Sequence, residues 1–508
     1  MELTLKKAGH EYYEPVEFAS FSCETMREHI VPDSCADIAR IVETTGQVRV
    51  TSREVSGDGR FCAGGTVDVS VLYIPEKGEG PRSLRFQIPF QSYGDEHWDG
   101  KHEFLDIRGE VQNVDTRLLN PRKVLTRVNL ILHPVGCRRT SLSLCTDVQD
   151  EESIQIMREQ HQTRVIAAVR EKEFSFLEEL TLSPGHGGAE EILSVRVELR
   201  GTDCKQIGSK LVVKGIAAAT VLYRESGGGV TGTKQEYPFS QILDGSGLEE
   251  EWENESDFHV LNAECTIGGD GGADNHHILT LNLLVNVRVT VWKTEQIHFI
   301  ADMYSTACPV VCETEEITLR ENDHRYTRRQ NVREMMETGT SVKSVVDVEV
   351  DTGVLRRGTD EGMVEIPVRA RCLFLDENDA LHSIRREFAV SCPVEQEEHA
   401  VTRGCAFCCG DVMTGILPDG IELRFPVEFE LENVEERRYL SVCGGEPAEE
   451  AEVRQCPSVV LRKIGKDETL WSVAKQYRTT CASILQVNEI EDERKIPLDR
   501  LLLIPRCR

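Results

Sequence analysis

The sequence has no long apolar run and far fewer positive than negative residues. No run approaches the roughly 18 apolar residues of a membrane span, so we expect a soluble chain without a transmembrane helix. The opening MELTLKKAGHEYYEPVEF also lacks the roughly 7–15-residue apolar stretch of a signal peptide. Lys and Arg number 58 against 87 Asp and Glu, a formal net charge of −29. This balance excludes nucleic acid as an expected partner, because phosphates require a basic surface.

Cysteine is too sparse for a disulfide scaffold, with 18 in 508 residues. Several cysteines, such as Cys62 and Cys372, lie in strand-like runs where a thiol packs as a small apolar group. Reduced thiols and a cytoplasmic location are therefore expected. The run CAFCC at 405–409 resembles half of a zinc site, with Cys308 and Cys312 as the other half, but no suitably spaced His accompanies them. We predict no metal and no cofactor.

Catalytic motifs are missing as well. The Gly-Lys pairs that begin at Gly100 and Gly465 are not followed by the Ser or Thr of a P-loop, and neither G-x-S-x-G nor H-E-x-x-H occurs. The Gly- and Asp-rich segment 268–274 fits a calcium or phosphate loop, but it corresponds in position to turns at 120–121 and 418–420. We interpret it as a hairpin connection, and we predict a non-enzymatic protein with no catalytic residues.

What the sequence does contain is a β-strand pattern used three times. The run VDVSVLY at 67–73 recurs as AAATVLY at 217–223 and as VRARCLF at 368–374, with spacings of 150 and 151 residues. Each unit has an apolar period of two, many β-branched residues and turns with Gly, Asp or Pro, which predicts antiparallel sandwich or sheet domains. A charged segment near the head of each unit, such as 157–162, is predicted as either a helix or a crossing arm.

These patterns divide the chain into five segments, which we predict to be β-rich repeats at 1–150, 151–318 and 319–443 (the last one divergent), an acidic linker at 444–457 and a terminal module at 458–508. The terminal module has ten Lys and Arg against seven Asp and Glu, a net +3 that leaves −32 for the rest. Segments of opposite charge favour association between their surfaces. Charged residues that simply face solvent explain the same distribution equally well.

The terminal module has the pattern strand, helix, helix, strand. An extended run at 460–464 precedes a helical stripe whose N-cap is Thr469, and the apolar run 501–504 forms a closing strand. With the words DETLWSVAKQY, LQVNEI and LLLIP, this order resembles the LysM domain, which binds N-acetylglucosamine-containing glycans and sometimes protein. The expected fold is mainly β with a small α+β C-terminal domain: three tandem β-sandwich-like repeats plus a βααβ LysM.

The LysM resemblance implies a ligand groove between two loops. The implied partner- or glycan-binding residues are Asp467, Glu468, Thr469, Leu470, Trp471, Asn488, Glu489, Ile490, Ile496 and Pro497. Most LysM domains have Gly-Asp-Thr-Leu where this chain has Asp-Glu-Thr-Leu, and Asp is among the few residues besides Gly that adopt a positive φ. Both walls are acidic, which is unusual for a neutral sugar. Trp471 lies beside the apolar stripe, as an exposed contact residue or packed under the strand pair.

The first repeat carries a further resemblance. The run HIVPDSCADIARIVETTGQVRVTSREVSGDGRFCAGGTVDVSVLY, which begins at His29, resembles a domain of spore-forming Firmicutes that typically precedes a LysM. The whole chain resembles the SipL-type family of spore coat morphogenetic proteins. That resemblance implies an assembly protein in the mother-cell cytoplasm whose LysM docks to a coat-base morphogenetic ATPase on the forespore surface. The alternative is a peptidoglycan or N-acetylglucosamine-glycan binding protein of the cortex or cell wall, which the missing export signal disfavours.

Overall fold

The structure is a computed structural model of the chain. It describes residues 4–78, 80–97, 102–149, 153–183, 185, 187–268, 276–360, 362–395, 400–447, 458–465, 468–490 and 501–505.

The described residues form 23 β-strands and two α-helices, and their strand pairings are antiparallel, both in hairpins such as β3–β4 and between strands far apart in the chain such as β8 and β13. The strands of the first repeat are β1 (Leu5–Glu17), β2 (Phe21–Ile30), β3 (Ile38–Val55), β4 (Arg60–Pro75), β5 (Arg82–His97), β6 (His102–Asn120) and β7 (Lys123–Val148). Those of the second are β8 (Ile154–Thr181), β9 (Ala189–Ile207), β10 (Lys210–Glu225), β11 (Val230–Asp244), β12 (Glu253–Ile267) and β13 (Ile278–Ser305).

The third repeat and the terminal module follow in the same order along the chain. The third repeat comprises β14 (Val310–Glu337), β15 (Val342–Thr352), β16 (Arg356–Arg357), β17 (Met363–Asp376), β18 (Leu381–Pro393), β19 (Ala400–Cys408), β20 (Met413–Leu417) and β21 (Gly420–Pro447). The terminal module comprises β22 (Val459–Lys463), α1 (Leu470–Tyr477), α2 (Cys481–Val487) and β23 (Leu501–Pro505).

Each repeat is a sandwich of a small sheet on a larger one. The small sheets have the strand orders β3-β4-β5, β9-β10-β11 and β15-β17-β18, with β16 also on β17. The facing layers are the antiparallel pairs β2–β7, β8–β13 and β14–β21, extended by β6, β12 and β19 with β20. A separate apolar core lies between the layers of each repeat. The predicted fold class of sandwich-like repeats is therefore confirmed.

The repeated Leu-aromatic pair explains how the three sandwiches meet. Tyr73, Tyr223 and Phe374 occupy the same place on the central strands β4, β10 and β17, and each is buried in the core of its own repeat. Successive side chains of a strand point to opposite faces, so the preceding Leu72, Leu222 and Leu373 face outward. These three leucines meet, with Leu193 and Leu381, in one shared cluster.

The small sheets close into a ring around this leucine cluster. Strand β5 packs on β9, β11 on β15, and β18 on β3, so the third strand of each small sheet lies on the first strand of the next. Ion pairs join the repeats across these junctions: Arg82 with Glu191, Arg196 with Asp347 and Arg371 with Glu43. The repeats are therefore packed in a closed pseudo-threefold arrangement rather than as an open row.

The far halves of the long strands form a stem beside this ring. The ribbons β1–β7, β8–β13 and β14–β21 pack together around Leu144, Phe299 and Leu319. A second stem cluster includes Cys145, Ile300, Met303 and Val442.

Two predictions made from the sequence can be compared with the bounds of the strands. The charged segments at the heads of the units, 24–29, 157–162 and 330–337, are strand residues of β2, β8 and β14, so the helix alternative is wrong. Residues 157–162 pair with β13 in the stem, whereas the other two segments lie in the sandwiches. The proposed boundary at 318/319 falls inside β14, and the proposed linker start at 444 falls inside β21. Residues 448–457 of that linker lie outside the described residues.

Candidate binding site

The terminal module has the predicted strand, helix, helix, strand order. Strands β22 and β23 pair antiparallel, with Leu461 opposite Leu503. Thr469 is the N-cap of α1, since its hydroxyl accepts from Ser472 N at 3.1 Å and Ser472 Oγ accepts from Thr469 N at 3.1 Å. Such a capping box satisfies two backbone donors that an α-helix leaves free at its start. The predicted N-cap and both helices are therefore confirmed.

The module has its own small core, and Asn488 ties it together. The core residues are Ile464, Leu470, Val473, Ala474, Ile484, Leu502 and Ile504. Asn488 follows α2, and its amide donates to Leu503 O at 2.7 Å while its carbonyl accepts from Leu503 N at 2.8 Å. The side chain of Asn488 thereby joins the end of α2 to β23. Leu470 is buried in the module core.

The other described residues of the implied site differ in whether their side chains make contacts within the module. Glu468 accepts from Gly465 N at 3.0 Å and pairs with Arg462. Ile490 packs against the module core. Thr469 and Glu489 are exposed, and Glu489 has a φ of 55°, a region that non-Gly residues adopt rarely. Asp467, Ile496 and Pro497, and the acidic residues at 491–493, lie outside the described residues.

Trp471 contacts the stem of the repeats. Its indole Nε1 donates to Asp302 Oδ2 at 2.8 Å, and its ring meets Tyr304 edge to face with 4.9 Å between centroids. Lys475, one turn further along α1, donates to Asp302 Oδ1 at 2.5 Å. Trp471 is therefore half-buried: it packs against the module core, and β13 provides the acceptor for its indole N–H.

The outward face of the β22–β23 sheet is a feature that the sequence analysis missed. Four aliphatic side chains on that face are exposed: Val459 (50%), Leu461 (64%), Leu501 (61%) and Leu503 (37%). We call this set the outer sheet face. Strands with one solvated face normally alternate apolar and polar residues. The continuous apolar run LLLIP breaks that alternation, and this run is the sequence signal that indicates an apolar outer face.

The cysteine clusters give no metal centre among the residues that the structure describes. No group of three or more His, Cys, Asp or Glu there is placed to hold a metal ion. Cys312 donates to Met303 O at 3.2 Å, and burial raises the pKa of its thiol. Burial, together with nearby Glu430, raises the pKa of the Cys405 thiol to about 11. A raised pKa lowers the fraction of reactive thiolate near neutral pH.

Comparisons with known families identify two domains in the chain. Residues 189–268 match the SipL, SPOCS domain, and residues 463–505 match the LysM domain. The first match spans β9 to β12 in the second repeat, and the second covers most of the terminal module. No curated protein and no solved structure gives a significant match.

Both matched families are non-catalytic, and none of the helices that the structure describes has the length and apolar character to cross a membrane. The chain therefore carries a SipL SPOCS domain and a LysM domain, as the SipL-type resemblance predicted, and this combination suggests a sporulation protein with a module of the glycan-binding LysM type.

Proposed function

We propose that this protein is a non-enzymatic assembly protein of the endospore coat, which works in the mother-cell cytoplasm at the forespore surface. Its LysM domain docks to a coat-base morphogenetic ATPase, and the three repeats form an acidic body behind it. The observation that carries this proposal is the outer sheet face, where Val459, Leu461, Leu501 and Leu503 are exposed together.

An aliphatic face of this kind favours a protein partner. Fully burying one such side chain is worth about 1.5–3 kcal/mol, and a protein surface supplies complementary apolar groups. A glycan gains most of its specificity from hydrogen-bond donors and acceptors, which Leu and Val side chains lack. Lys463 lies on the same face, opposite Leu501, so the partner patch is expected to be apolar with a polar margin.

Glycan binding is the second candidate, because the LysM match itself favours it. A glycan would bind in the groove that the LysM resemblance implies. Of the residues implied there, Thr469 and Glu489 are exposed, and the resemblance also assigns Asp467, Ile496 and Pro497 to the groove. The two candidates therefore use different surfaces of one domain, and substitutions can separate them.

The test measures binding of the full chain to the coat-base ATPase. Leu461→Glu places a charge at the centre of the outer sheet face and is expected to weaken binding by about 2 kcal/mol or more, roughly 30-fold in Kd. Ile207→Glu is the matched control, because Ile207 on β9 is also 64% exposed. Loss of binding in both variants, or in neither, would contradict docking through this face.

A parallel titration with chito-oligosaccharide at two salt concentrations decides between the candidates. The ATPase interaction is expected to weaken as salt rises, since charged groups flank the apolar face and the loops. A neutral sugar shows little salt dependence. Micromolar, salt-independent sugar binding without ATPase binding would replace the coat-assembly proposal with the cortex or cell-wall alternative.

A further inference from the structure

We propose that Asp302 and Tyr304 of β13 form a latch that holds the LysM domain on the stem, and that Trp471 and Lys475 position the domain through this latch. The inference deepens the proposed function, on which it partly rests. It assigns Trp471 an indirect role, whereas the LysM resemblance implies direct contact with the ligand.

The latch consists of two donors from α1 that converge on one carboxylate. Trp471 and Lys475 are four residues apart and thus lie on one side of the helix. Their donors reach the two oxygens of Asp302, Nε1 at 2.8 Å from Oδ2 and Nζ at 2.5 Å from Oδ1. Hydrogen bonds to a charged group are about twice as strong as neutral ones. Asp302 therefore fixes both the position and the rotation of α1.

Tyr304 makes the second half of the latch and belongs to the core of the LysM domain. It is 4% exposed and packs with the buried residues of that domain. Its hydroxyl donates to Thr479 O at 2.7 Å, just beyond the end of α1. Its ring and that of Trp471 meet edge to face. An aromatic side chain supplied by β13 thus completes the LysM core, so separating the domain from the stem exposes apolar surface and leaves Thr479 O without this donor.

The latch involves one side of α1 and leaves the outer sheet face free of these contacts. The inward residues of the sheet, Leu502 and Ile504, are buried against the helices, whereas Leu461 and Leu503 point the other way. A partner on the outer sheet face meets a domain whose orientation toward the acidic repeats is already fixed. Preorganisation of this kind strengthens binding by removing the ordering cost.

The experiment is a double-mutant cycle in the full chain, with binding to the coat-base ATPase as the first readout. Asp302→Ala and Trp471→Phe, which keeps an aromatic ring but loses the N–H donor, are each expected to weaken binding by about tenfold. The double variant is expected to bind no more weakly than the weaker single variant, because Asp302→Ala already removes the hydrogen bond that Trp471→Phe removes. Asp302→Ala combined with Leu461→Glu should be additive.

The second readout is hydrogen exchange of the α1 amides, which needs no partner. Asp302→Ala is expected to speed exchange in Leu470–Tyr477, while the control Asp411→Ala, which removes the exposed pair with Lys234, should not. Unchanged exchange would overturn the latch.

Tighter ATPase binding by Asp302→Ala would show an autoinhibitory contact, and additivity of Asp302→Ala with Trp471→Phe would show direct partner contact by Trp471. Either result overturns the positioning role. If the unaltered chain does not bind the ATPase, the proposed function is refuted. The hydrogen-exchange measurement then tests the latch by itself, because it needs no partner.

Discussion

The guanidinium of Arg371 on β17 donates to both carboxylate oxygens of Glu43 on β3, at 2.8 and 3.0 Å, across 328 residues of sequence. Both side chains are only 7% exposed. The same guanidinium also donates to Glu349 and Asp347 at 2.7 and 2.6 Å. This network joins the third repeat to the first and closes the ring.

Breaking this network from one side is expected to destabilise the ring strongly. Arg371→Met removes the cation that pairs with the buried Glu43, while Asp347 and Glu349 keep Arg196, and an uncompensated buried charge costs about 3–5 kcal/mol. Urea denaturation measures the loss. The control is Arg117→Met, which removes the exposed pair with Asp115 and should cost less than about 1 kcal/mol. Equal losses in the two variants would show that the ring does not depend on the buried network.

The ring should also be sensitive to acid. Burial by itself raises the pKa of Asp347, but the guanidinium groups of Arg196 and Arg371 outweigh it and hold the pKa below its ordinary value. A depressed pKa in the folded state means that the stabilisation is complete above the unfolded pKa of about 3.9 and is lost as the pH falls toward the folded value. Unfolding free energy should therefore be flat near neutral pH and fall below about pH 4. Asp347→Asn should reduce that acid dependence, and an unchanged slope would contradict this assignment.

Metal removal is expected to leave the protein unchanged. We assign no cysteine to a metal, and a structural zinc site contributes on the order of 10 kcal/mol to folding. Thermal unfolding of the reduced chain with and without a chelator checks this directly. A fall in Tm that added zinc reverses would establish a metal site, and the run at 405–409 would then be its first candidate.

The thiol of Cys405 is expected to react slowly although the residue is exposed. Desolvation of the thiol by surrounding protein atoms and the neighbouring Glu430 carboxylate raise its pKa to about 11 even though part of the residue faces solvent. Little thiolate is therefore present at pH 8, and the thiolate is the nucleophile. Alkylation by iodoacetamide, followed by mass spectrometry, should accelerate steeply between pH 8 and pH 10. Fast labelling at pH 7 would show an ordinary or lowered pKa.

Much of the fold was predictable because its signals are local. The period of two in runs such as 67–73 and 217–223 indicates strands, and the recurrence of those runs indicates one unit used three times. In the terminal module, Thr469 as N-cap and the helical spacing after it predicted α1. The boundaries inside β14 and β21 were harder to place, because long strands continue through them with the same alternation.

The sequence by itself determined the repeats, their central Leu-aromatic pair and the LysM domain, since each depends on residues close together in the chain. Only the tertiary structure decided which groups meet over long distances. Alternation shows that Leu72 and Tyr73 face opposite ways, but not that Leu72 meets Leu222 and Leu373. Likewise, nothing near Trp471 indicates a carboxylate 169 residues earlier. Such contacts depend on how whole sheets pack, because burial of apolar faces brings together residues that no local pattern relates.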